Sequence, residues 1–131
     1  MSAITPLFAA IFTLIYVALS LNVVRYRFGH KISIGDGGHK HLEMATRAHA
    51  NFIEYVPLSL LLMWFLESLT LSPSEVFWSG AILVFARVAH AFGMLYPQQL
   101  LVLRQFGTIA TFAVLIKLSI SLLKHYLALT I

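Results

Sequence analysis

The chain contains no cysteine. That absence removes a disulfide framework, a thiolate metal site and a cysteine nucleophile. Charge is also scarce, with 11% Asp, Glu, Lys and Arg in 131 residues, against about 25% in a soluble domain. Acidic residues are the fewest: Asp36, Glu43, Glu54, Glu67 and Glu75. No basic run is interleaved with aromatics, which argues against a nucleic-acid partner. Apolar residues are abundant, at 60% of the chain, and the mean hydropathy is +0.86. A chain this short buries only about two thirds of its surface on folding and cannot hide so much apolar side chain internally. A soluble monomer and a disordered chain are both excluded. The composition predicts an all-α integral membrane protein, with room for four spans of about 20 residues.

The spans follow from the charge-free runs. They are expected at about residues 5–24, 45–66, 74–95 and 104–126, in one four-helix domain over 1–131. The first run ends in Arg25-Tyr26-Arg27, an aromatic and basic interfacial stop. It lacks the leading positive charge of a signal peptide. Gly29, Gly35, Gly37 and Gly38 are expected to break helix around the first loop. That loop has no strand or Lys-Ser/Thr signature for a phosphate cradle. Ser72-Pro73-Ser74-Glu75 reads as a capping box opening the third helix, and Tyr96-Pro97 reads as its end.

Lys and Arg are distributed unevenly. Arg25, Arg27, Lys31, Lys40 and Arg47 fall in or beside the first loop and Arg104 in the third. The opposite side has only Lys124 near the C-terminus. The positive-inside rule then predicts cytoplasmic first and third loops and periplasmic termini.

Polar residues inside spans are functional candidates. Arg47, Asn51 and Glu54 lie at i, i+4 and i+7, one stripe of the second helix. At 1.5 Å per residue, Glu54 lies roughly 10 Å deeper than Arg47. Arg87 reaches a similar depth, roughly 12 Å from Leu95. A buried carboxylate and guanidinium at one depth are expected to pair. Arg104 opens the fourth helix, with Thr108 and Thr111 on its face. With His90, Arg25 and Arg47, these groups describe a polar pocket rich in arginine forks, suited to a small carboxylate ligand. His49 is about 160° from Asn51 around its helix. It is therefore poorly placed to share a metal with His90, and no metal is expected. Lys117 is expected to snorkel outward.

The stretch RAHANFIEYVP (Arg47 to Pro57) resembles the second-helix signature of the membrane-associated proteins in eicosanoid and glutathione metabolism, the MAPEG family. FARVAHAFGMLYP (Phe85 to Pro97) resembles its third-helix signature. VVRYR and Arg104 fall where that family has them, and IGDGG is similar to its bacterial members. The resemblance implies a homotrimer in the inner membrane, with glutathione as co-substrate between helices one and two of one subunit and three and four of the next. It implies that Arg47, Asn51, Glu54 and Tyr55 bind glutathione, with Arg25 and Arg87 near its carboxylates. His90 replaces a tyrosine that contacts glutathione in some members. Arg104 would lie near the sulfur as the catalytic residue, since a guanidinium lowers a thiol's pKa and favours the thiolate nucleophile. Met94 and Thr108 stand where some members have tyrosine. Conjugation, peroxide reduction and isomerisation therefore stay open. The expected function is a glutathione-dependent transferase or peroxidase acting on a hydrophobic second substrate delivered through the bilayer. The alternative is a non-catalytic lipid-binding or scaffold trimer. A four-helix drug transporter is disfavoured, because the first helix has no carboxylate to couple proton and drug.

Overall fold

The computed structural model describes residues 4–69, 72–96, 98 and 100–130. Four helices account for nearly all of them: α1 (Ile4–His30), α2 (Lys40–Ser68), α3 (Pro73–Leu95) and α4 (Leu101–Thr130). Each is long and apolar enough to cross a membrane. The helices exceed the expected spans because they continue past the hydrocarbon into the interface. At 1.5 Å per residue, the 27 residues of α1 extend about 40 Å, against a hydrocarbon core of about 30 Å.

Gly29 does not break α1, which runs through it to His30. The helix stops where Lys31 takes a left-handed φ of 55°. The Lys31 N–H then bonds Phe28 O (3.3 Å) and the Ile32 N–H bonds Arg27 O (3.0 Å), the two bonds of a Schellman motif. Gly35, Gly37 and Gly38 all have positive φ and form the turn that the sequence predicts. Pro57 lies inside α2 without ending it. Pro97, part of the expected stop after α3, lies outside the described residues; Tyr96 is the extended C-cap.

α2 and α3 each pack against all three other helices, whereas α1 and α4 do not touch among the described residues. The core is a column of Phe8, Phe12, Phe52, Met63, Leu83 and Leu118. Outward faces keep Leu14, Trp78, Phe85 and Ile109 exposed, as expected where lipid, not water, is the solvent. α3 and α4 cross closely at Gly107. A Cβ on Gly107 would lie 2.5 Å from Ala86 O and 2.6 Å from His90 Cβ. This crossing follows the small-residue rule for membrane helices, in which absent side chains let backbones come together.

Carboxylates at the opposite end from the glycine loop hold the bundle there. Glu67 of α2 accepts from the N–H groups of Ile4 (2.6 Å) and Thr5 (2.9 Å). It thereby satisfies donors that the start of α1 cannot pair internally. Glu75 does not complete the capping box, since Ser72 makes no side-chain cap bond. Its Oε1 instead accepts from Ser121 Oγ (2.5 Å) and lies 3.6 Å from Lys117 Nζ. Lys117, 55% exposed, reaches outward as expected and finds a carboxylate from the preceding helix.

Candidate polar cavity between α2, α3 and α4

Six residues of α2 line a cavity of about 310 Å³: Glu43, Met44, Arg47, Ala50, Asn51 and Glu54. The 3.6-residue period brings the Arg47, Asn51 and Glu54 stripe onto a single wall. α3 contributes His90 and Met94, and α4 contributes Arg104 and Thr108. The volume falls at the lower end of small-molecule sites, about 300–1,000 Å³. Charged and amide groups thus converge inside an otherwise apolar bundle, between helices of a single chain.

The expected Glu54–Arg87 ion pair does not form. Among the described residues the one ion pair is Lys117–Glu75. Arg87, 1% exposed, donates from Nη2 to Asn51 Oδ1 (2.7 Å) and from Nη1 to Thr111 Oγ1 (3.5 Å). Its guanidinium carbon lies 5.6 Å from the centre of the Tyr55 ring. An amide oxygen, a hydroxyl and an aromatic face therefore take the place of the carboxylate. Asn51 takes the contact because it is nearly one turn closer to the N-terminal end of α2. Glu54 is exposed and turned to the cavity, where an unpaired charge remains accessible to solvent or ligand.

The other candidates divide. Arg47, Asn51, Glu54, His90 and Arg104 meet in the cavity. Arg87 stands behind Asn51, outside the lining. Tyr55 packs edge-on against Phe112 of α4, ring centres 5.5 Å apart, and also lies outside it. Arg25 is exposed on α1, with its guanidinium 5.5 Å from the Tyr26 ring, and does not reach this cavity. His90 is 4% exposed, and its Nδ1 has no hydrogen-bond partner; neither does the buried Nε of Arg104. Unsatisfied buried nitrogens on a cavity wall are groups a polar ligand could satisfy.

Residues 5–124 match the profile of the MAPEG family. The chain belongs to the MAPEG family. It is 32% identical over 113 residues to inner membrane protein YecN of Escherichia coli strain K12, an alignment covering 86% of this chain and 85% of that protein. The same figures hold for YecN of the O6:H1 strain CFT073. Family membership and four membrane-crossing helices agree on a multi-pass membrane protein.

Sequence reasoning missed Glu43, Met44 and Ala50 on the cavity wall. Glu43 stands four residues before Arg47, so the same periodicity extended one turn would have found it. His49 is separate from the cavity, as its angular position predicts. Its Nε2 lies 3.0 Å from Ser20 Oγ, and its ring packs on Tyr16. Ser20 Oγ also lies 2.8 Å from Tyr16 O, the carbonyl one turn back in its own helix. Among the described residues no group of three His, Cys, Asp or Glu could hold a metal ion.

Proposed function

We propose that this chain is a glutathione-dependent enzyme of the bacterial inner membrane, a transferase or peroxidase acting on lipophilic electrophiles. The observation that supports this reading best is the polar cavity, which sets two arginines, two glutamates, one asparagine and one histidine against an apolar surround. Glutathione carries two carboxylates, an ammonium and a thiol. In this reading Arg47 and the Nδ2 donors of Asn51 take carboxylate oxygens, and Glu54 takes the ammonium. Arg104 faces the sulfur. Its guanidinium, on the first turn of α4, and the positive end of that helix both favour thiolate over thiol. The thiolate attacks an electrophile arriving from the bilayer. His90 lines the same space, in place of the tyrosine of some relatives. Arg87 acts through Asn51 by fixing its carbonyl away from the ligand.

The same reading places loops one and three in the cytoplasm and both termini in the periplasm, with three copies forming the functional unit. Arg25, exposed and remote from its own chain's cavity, then serves the site of a neighbouring copy. The name of YecN is consistent with the inner membrane. Equilibrium titration of the purified protein with glutathione tests the reading. Saturable binding, lost when both glutathione carboxylates are esterified, supports it. Absence of binding favours the lipid-binding or scaffold alternative.

A further inference from the structure

The end of α1 carries a second hollow that the proposed chemistry does not use. Val24, Arg27, Phe28, Lys31, Ile32 and Ser33 line a groove of about 430 Å³ with mostly apolar walls. Phe28 is 80% exposed, and Ile34 beside the groove is 89% exposed. Because α1 outreaches the hydrocarbon by about 10 Å, these residues stand in the headgroup layer. An apolar trough there opens toward acyl chains.

Its rim is cationic and uncompensated. Arg27 and Lys31 are the basic residues of its lining, and the stretch 25–43 also carries Arg25 and Lys40 against only Asp36 and Glu43. None of the four makes an ion pair among the described residues, where the one ion pair is Lys117–Glu75 at the other end of the bundle. Asp36 instead accepts from the Gly38 N–H (2.9 Å). Arg27 braces the groove by donating from Nη1 to Ser33 O (3.1 Å) and Gly35 O (3.0 Å). Lys31 occupies the left-handed position of the Schellman motif, φ 55°, where glycine is strongly preferred. A charged side chain is thus held in a backbone conformation unfavourable to it, at the mouth of an apolar groove. Strain of this kind points to a role outside the cap itself.

We infer that this groove seats an anionic phospholipid of the surrounding bilayer, with an acyl chain along Val24, Phe28 and Ile32 and the headgroup phosphate at Lys31. Charge complementarity selects that occupant over a zwitterionic lipid. Position in the headgroup layer selects it over a soluble anion. The inference is independent of whether glutathione binds.

The test compares retention of dioleoyl phosphatidylglycerol and dioleoyl phosphatidylcholine by the purified protein, counted by native mass spectrometry. Wild type is expected to retain phosphatidylglycerol preferentially. Lys31→Gly should lower that preference about fivefold, the weight of one basic side chain at an anionic surface. It should leave the lipid-free Tm unchanged or higher, because glycine accepts the left-handed φ without strain. Equal retention of both lipids by wild type overturns the inference, as does an undiminished preference in Lys31→Gly. A second variant, Phe28→Cys, introduces a lone thiol into a chain without cysteine. Its failure to form a disulfide between copies under mild oxidation is expected. Efficient disulfide formation would seat a second copy on this face and also overturn the inference.

Discussion

Arg87 donates from Nη2 to Asn51 Oδ1 across 2.7 Å, tying α3 to α2 directly behind the cavity wall. The bond decides what Asn51 can offer a ligand. With its oxygen held toward the buried guanidinium, only the Nδ2 donors remain for the cavity. A carboxylate is the complementary group, and the wall becomes more selective for anions than its charge count alone implies.

Asn51→Ala should therefore leave a buried guanidinium short of an acceptor. Destabilisation of about 1–3 kcal/mol is expected from an unsatisfied buried donor. Replacing both partners, in Asn51→Ala with Arg87→Met, should be less harmful than the two single changes added together. Thermal unfolding of the four proteins in one detergent checks the coupling. Strict additivity would mean that the bond contributes nothing.

Glu54→Gln should behave differently, since Glu54 makes no ion pair among the described residues. Stability should stay within about 0.5 kcal/mol of wild type, as for a substitution outside any network. Glutathione affinity should fall roughly tenfold or more, the loss of one charge-assisted hydrogen bond. Calorimetric titration beside a melting curve separates the two effects. A large loss of Tm with unchanged affinity would return Glu54 to a structural role.

Gly107→Ala should separate α3 from α4. The added methyl meets the Ala86 carbonyl and the His90 backbone, neither of which can swing aside as a side chain could. A loss of about 1–3 kcal/mol is expected from overpacking. Because His90 is the residue displaced, glutathione affinity should drop in the same variant. Unfolding and titration measure both, and a wild-type Tm would contradict the close crossing.

Glu67→Ala should free the N-terminus of α1. The carboxylate accepts from two backbone N–H groups, so the loss should resemble that of a helix N-cap, about 0.5–2 kcal/mol. Hydrogen exchange should rise at the start of α1 and stay unchanged in the Arg27–Ile32 cap. Uniform protection along α1 would show that the capping bonds do not matter.

Much of this architecture could be read in the sequence because the bilayer imposes it. Charge-free runs became helices, and the Arg47, Asn51 and Glu54 spacing became one wall. What could not be read was partner choice. Depth arithmetic brought Glu54 and Arg87 to one level, but it carries no information on which side chain of a stripe faces the neighbour. A displacement of three residues gave the contact to Asn51. Glu75 was similarly diverted, since the capping-box spacing is local whereas Ser121 and Lys117 compete from 46 and 42 residues away. Gly29 stayed helical because the strained position fell at Lys31, which no glycine rule would select.

In this reading Arg104 ionises bound glutathione, and stopped-flow thiolate absorbance reads that ionisation. On mixing with glutathione near neutral pH, wild type should develop the thiolate signal with saturating amplitude. Arg104→Ala should still assemble and bind, because Arg47, Asn51 and Glu54 remain. Its bound thiol should revert toward the ordinary pKa of about 8.5, with little thiolate signal, and turnover of a model electrophile should fall by about tenfold for each pKa unit regained. An undiminished thiolate signal in Arg104→Ala, or no signal in wild type that nonetheless binds glutathione, would contradict the account.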